Sequence, residues 1–189
     1  MRIEGILFSY EIMPRDRGDI AFEEVNKFMD MLSKKIQELR NSEIILMPEG
    51  VKGLILVDLR RVVEGVSSEE IDRIRRQIIE EIKGAFDRGE LLSIPKVRII
   101  HKIVKTNTET IAEESKYFAG LIKGKWKIEI HTRKIIDRMQ TIRRVAEHIN
   151  QPVDLKNPHY ILNIEVIGPE ITVIYLVDTE NIEDTIIKL

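Results

Sequence analysis

Between Lys123 and Tyr160 the chain carries nine basic side chains: Lys123, Lys125, Lys127, Arg133, Lys134, Arg138, Arg143, Arg144 and Lys156. Four acids oppose them, Glu129, Asp137, Glu147 and Asp154. His131, His148 and His159 fall in the same stretch, interleaved with Trp126 and Tyr160. Guanidinium and ammonium groups supply salt-dependent attraction to a phosphate backbone. Rings set among them offer faces on which unstacked bases can lie. Net charge conceals this cluster, because the whole chain is at −2 while its last 29 residues run to about −5. A plainer reading fits the same residues, in which Lys and Arg only solvate the outer sides of two amphipathic elements.

Other chemistry finds no support in the residues. There is no cysteine, so disulfides, thiolate zinc sites, iron–sulfur clusters and CxxC redox chemistry are excluded. The four histidines, His101, His131, His148 and His159, show neither metal-ligand spacing nor an HExxH helix. Gly120-Leu121-Ile122-Lys123-Gly124-Lys125-Trp126 only superficially resembles a phosphate loop: the first Gly is misplaced, Trp126 stands where Ser or Thr must hold Mg²⁺, and the segment follows a helix instead of a strand. It reads as a helix end and turn. Neither a GxSxG elbow nor a glycine-rich dinucleotide fingerprint occurs. No catalytic residue, metal or cofactor is expected. Met1-Arg2-Ile3-Glu4-Gly5 puts a carboxylate where a secretory signal would be apolar, and no apolar run approaches ~18 residues. A soluble, cytoplasmic protein is therefore expected.

The elements that would position the basic residues follow from periodicity. With 43% apolar and 33% charged residues, 189 positions suffice for one large domain or two small ones. Few amides and many Ile, Lys, Arg and Glu give a thermophile-like bias. A strand is expected over Ile3–Tyr10. A helix follows with Val25, Phe28, Met29, Leu32, Ile36 and Leu39 at helical spacing up to Arg40. Short strands at 44–47 and 54–57 precede a helix that opens on a Ser67/Glu70 capping box and buries Ile71, Ile74, Ile78, Ile82 and Phe86. One strand, Val97–Val104, closes the unit. This β-α-β-β-α-β order is the ferredoxin-like arrangement, assigned to residues 1–106.

Residues 107–189 read α-β-α-β-β. A Thr110/Glu113 capping box leads a helix with Ile111, Phe118, Leu121 and Ile122 inward. Trp126–His131 alternates as a half-buried strand, with Lys125, Lys127 and Glu129 on the side opposite Trp126 and Ile128. The next helix is expected to turn Ile135, Met139, Ile142, Ala146 and Ile149 inward, Arg144 directly outward, and Arg143 beside the buried stripe. Pro152 ends it. Strands Tyr160–Ile167 and Ile171–Val177 close the chain around Gly168-Pro169-Glu170. The fold class is thus α+β, two small units in series.

Val153-Asp154-Leu155-Lys156-Asn157-Pro158, followed by an alternating strand ending Ile164-Glu165-Val166, resembles the late motif of the THUMP domain. So does what precedes it, a strand, Lys127–Arg133, that ends in a basic residue, and then an Arg-bearing helix. THUMP modules usually follow a ferredoxin-like subdomain, so the resemblance covers essentially the whole chain. It implies RNA binding: THUMP domains serve tRNA thiolases, methyltransferases and pseudouridine synthases, docking the tRNA acceptor stem and 3′ end while another domain does the chemistry. With only twelve residues after the last expected strand, the chain resembles a stand-alone subgroup, the adaptor of an RNA acetyltransferase that makes N4-acetylcytidine. Lys116-Tyr117-Phe118-Ala119 and Trp126-Lys127-Ile128-Glu129-Ile130-His131-Thr132-Arg133 carry that likeness. The segment from Arg133 to Arg143 is shorter than in many THUMP proteins. The expected partners are tRNA and an RNA acetyltransferase or other tRNA-modifying enzyme, and neither DNA nor a membrane. The residues expected to meet RNA are Lys125, Lys127, His131, Arg133, Lys134, Arg143, Arg144, Lys156, Asn157 and His159. A competing expectation is a protein-interaction module with no RNA role. A third is a small-molecule enzyme whose site the sequence disguises.

Overall fold

A continuous apolar run in the first strand, Ile6-Leu7-Phe8, all buried, fixes the centre of a sheet. In the computed structural model, which describes residues 1–40 and 43–189, β1 (Gly5–Ser9) lies between β3 (Leu54–Asp58) and β4 (Lys96–Ile100), antiparallel to both. Phe8 stands opposite Ile55 on one side and Val97 on the other. With β2 (Ile44–Leu46) outside β3, the order β2-β3-β1-β4 is that of a ferredoxin-like sheet. Two long helices, α1 (Gly18–Lys35) and α3 (Ser68–Asp87), bury Val25, Phe28, Met29 and Leu32, and Ile71, Ile74, Ile78 and Ile82, in one core with Ile6, Phe8, Ile55, Val57, Val97 and Ile99. Each such side chain contributes on the order of 1.5–3 kcal/mol by leaving water. The short α2 (Arg60–Val63), which periodicity does not predict, fills the passage from β3 to α3.

At α3 the expected capping box is half made. Ser67 Oγ accepts from the Glu70 N–H at 3.2 Å, but the Glu70 carboxylate turns to Arg73 instead of reaching back.

The strand expected over Val97–Val104 is two strands in two sheets. β4 ends at Ile100 and β5 runs Lys102–Val104. Between them His101 is fully buried: its N–H donates to Ile174 O, and its Nδ1 accepts from the Leu176 N–H at 3.0 Å. An apolar run shows no periodicity change where a chain moves from one sheet to the next. The compact units are residues 1–100 with 186–189, and residues 101–185. This division and one after residue 106 differ in placing β5 and the tail, where β9 (Ile186–Lys188) pairs with β4 and buries Ile187 against Val97. Three residues are too few for the alternation that identifies a strand, and β9 lies beyond the last strand expected from the sequence.

The second unit contains β5, α4 (Thr108–Ala119), β6 (Trp126–His131), α5 (Arg138–Ala146), β7 (Tyr160–Val166) and β8 (Thr172–Asp178), in sheet order β5-β8-β7-β6. β6 and β7 are parallel and joined through α5, whereas β7 and β8 form an antiparallel hairpin. Trp126, Ile130, Leu162, Ile164, Ile174 and Leu176 meet Ile111, Phe118 and Val145 of the helices. The fold class is α+β, as the element order implies.

Both helices of this unit begin differently from expectation. Asn107 caps α4, its Oδ1 accepting from the Thr110 N–H at 3.0 Å, so Thr110 lies inside the helix and Glu113 pairs with Lys116. Asp137 caps α5, Oδ1 to the Gln140 N–H at 2.8 Å. Starting there sets the helix phase. Thr141 and Val145 are buried, Ile142 and Ala146 are half-buried, and Met139 and Ile135 stand exposed. Hydropathy counting rejects Thr141 as a core position. Its hydroxyl is satisfied locally, by Asp137 O at 2.7 Å and Thr108 Oγ1 at 3.0 Å, which removes the cost of burying it.

Candidate nucleic-acid interface

The expected contact residues belong to β6, to the two turns that flank it, or to α5, except Lys125 just before β6 and His159 just before β7. Side chains alternate along β6: Trp126, Ile128 and Ile130 join the core, and Lys127, Glu129 and His131 take the other side. Lys127 Nζ and Glu129 Oε1 pair at 2.9 Å, as their shared face predicts. Trp126 is no stacking surface. It is 1% exposed and its Nε1–H donates to Gln151 O at 2.9 Å.

At the start of β6 the 152–158 turn is tied to the strand by its backbone. Trp126 N–H donates to Pro152 O, and Asp154 N–H donates to Trp126 O. The Lys125 carbonyl accepts from both the His159 and Tyr160 N–H groups. Within the turn, Asp154 Oδ1 accepts from the Lys156 and Asn157 N–H groups, each at 3.0 Å. These bonds, that from Asn157 foremost, and the Lys125 ammonium at 3.7 Å hold the Asp154 carboxyl below the ordinary carboxylate range. Asp154 is therefore the side chain that caps this turn. Val153 and Leu155 project into solvent beside the exposed Lys156, Asn157 and His159.

The other end of β6 is built otherwise. Thr132 O accepts from the Ile135 N–H at 3.0 Å, closing a turn whose central residues are Arg133 (φ 50°) and Lys134 (φ 61°). Positive φ at both positions is the type I′ signature, which Asn and Gly ordinarily supply. For residues with a Cβ, left-handed backbone costs about 1–2 kcal/mol each. Both side chains are exposed, and so is His131 just before them.

Ion pairing sorts the cations. Lys125 pairs with Asp154, Lys127 with Glu129, and Arg144 with Glu109 at 2.5 Å and more distantly with Glu147. Arg144 thus binds α5 to α4 and is half-buried, while Arg143 is the exposed one; the expected assignment of the two is reversed because α5 starts from Asp137. Among the described residues, Arg133, Lys134, Arg143 and Lys156 have no carboxylate within ion-pair range. Lys123 and Arg138 are likewise exposed and unpaired, and were not among the expected contacts although they belong to the basic run. Arg133 and Lys134 stand at one end of β6 and Lys156 at the other, on the order of 17 Å apart along the strand, and Arg143 is exposed on α5, which joins β6 to β7.

This places the molecule in a fold class, a ferredoxin-like unit followed by a smaller α/β unit with a mixed sheet and a cation-rich edge. No protein-family model matches the chain, and no curated protein is similar to it in sequence. Solved structures do share its fold. One is PH1313 from Pyrococcus horikoshii, 13% identical, TM-score 0.57, with 93% of this chain and 55% of that one covered. Another is a 4-thiouridine synthetase in complex with RNA and ATP, 11% identical, TM-score 0.55, with 94% and 42% covered. The chain spans about half the length of the structures it matches.

Proposed function

We propose that the protein is a THUMP-type tRNA-binding adaptor, itself non-catalytic, that presents tRNA to an RNA-modifying enzyme, in the first place an acetyltransferase making N4-acetylcytidine. The observation that carries the reading is the set of exposed, unpaired cations around β6, Arg133, Lys134, Arg143 and Lys156, on a fold shared with an RNA-bound 4-thiouridine synthetase. That enzyme supports the thiolase branch of the THUMP resemblance, and the Val153–Pro158 turn supports the THUMP unit itself. Phosphate contacts would supply the affinity, and tRNA's unpaired end would meet His159 or Tyr160.

Filter binding of a tRNA transcript over a salt series tests the binding role. Log Kd should rise linearly with log salt. Replacing Arg133, Arg143 and Lys156 together by Ala should lower that slope by about 2.1–2.7, at roughly 0.7–0.9 per lost phosphate contact. No binding at low salt, or affinity indifferent to salt, would refute the RNA role. Affinity purification from native cells then identifies the partner. An acetyltransferase supports the adaptor subgroup, and a methyltransferase or thiolase reassigns it. Protein recovered without RNA, and surviving nuclease, favours a protein-interaction module.

A further inference from the structure

The Thr132–Ile135 turn is composed against its own backbone. Two successive non-glycine residues hold left-handed φ, 50° and 61°, where Asn-Gly would close the same turn without strain. Nothing inside the chain accounts for the choice. Among the described residues neither side chain makes an ion pair or hydrogen bond, both are exposed, and the only bond holding the turn is between backbone groups. A left-handed residue with no contact to the fold is an outlier that points to use elsewhere. By contrast Lys125, Lys127 and Arg144 are each committed to a carboxylate, Asp154, Glu129 and Glu109 respectively.

We propose that the Arg133–Lys134 turn is a phosphate grip, its strained backbone retained at the expense of stability because it projects two unpaired cations together from the carboxyl end of β6. The ligand class is the sugar–phosphate backbone of RNA, and the inference rests on the RNA-binding reading above. The turn supplies contact and affinity but no base readout. It is a place where stability and binding oppose each other, so that relieving the strain removes the contact.

Two double variants separate the effects. Arg133→Asn with Lys134→Gly relieves the backbone and removes both charges, whereas Arg133→Gln with Lys134→Gln removes the charges and keeps the strain. With a tRNA transcript as probe, both should bind roughly tenfold or more weakly at low salt, with a salt slope lower by about 1.4–1.8. Only the Asn-Gly variant should melt at a higher temperature than the native chain. The proposal is overturned if the Asn-Gly variant melts lower, or if the Gln-Gln variant binds like the native chain. In the latter case, loss of binding on substituting Arg143 and Lys156 leaves the RNA reading standing. Native protein that fails to bind the transcript at low salt overturns both.

Discussion

Two turns flank one strand, and they use opposite means to hold a basic residue in solvent. In the 152–158 turn the chain is over-determined: Asp154 accepts two N–H groups, and Pro152 O and Asp154 N–H hook the turn to Trp126. Lys156 there rides on a backbone that would hold its shape whatever side chain stood at 156. At 132–135 one backbone bond closes the turn and its two central residues resist the conformation. The first turn marks the fold more firmly than it marks a contact, and the second marks a contact more firmly than the fold. The largest effect expected from either region therefore belongs to the anchor of the first. Trp126→Ala leaves a cavity at a 1%-exposed position and strands Gln151 O, and should cost about 3–5 kcal/mol in urea unfolding. A loss under 1 kcal/mol would show that the turn is not anchored through this side chain.

Next comes the cap of that turn. Asp154→Ala removes the acceptor of two backbone donors and should lower Tm by a few degrees, while Asp154→Asn, which keeps an oxygen there, should recover most of the loss. Equal loss in both would mean that attraction to Lys125, and not the cap, holds the turn. The comparison also sharpens at the helix. Arg144→Ala breaks the half-exposed link to Glu109 and should cost about 0.5 kcal/mol. Arg143→Ala should leave stability unchanged and weaken tRNA binding. Opposite results would return Arg144 to the contact surface.

What the sequence makes legible follows the same division. Where propensity, pattern and side-chain chemistry agree, as in the ferredoxin-like order, the α3 stripe and the alternation of β6, reading by period suffices. It fails where a local polar arrangement outweighs hydropathy. Thr141 is buried because two oxygens satisfy its hydroxyl, His101 because its ring accepts a backbone N–H, and each displaces an expected boundary or phase. Swapping Arg143 and Arg144 follows from the first of these effects at one remove, since the helix phase depends on Asp137 and Thr141. The left-handed turn was hidden for another reason: Arg and Lys carry no signal for positive φ, so the sequence points to an ordinary helix approach at Ile135. The basic run was visible, but pairing, which divides it into free and committed cations, depends on Glu109 and Asp154 from elements distant in sequence.

The smallest expected effect is a titration confined to the first turn. Because the Asn157 and Lys156 N–H groups and the Lys125 ammonium favour its charged form, the Asp154 carboxyl titrates below the usual Asp value of about 3.9. A group whose folded value is depressed lends its stabilisation above the unfolded value and loses it as pH falls through the folded one. The turn should hold its geometry down past pH ~3.9 and loosen only below. Amide shifts of Lys156 and Asn157, followed by NMR from pH 6 downward, should move together with their inflection below that value. An inflection at or above it would mean that the two N–H bonds are not made in solution, and the 152–158 turn would then be no better determined than its counterpart at Arg133 and Lys134.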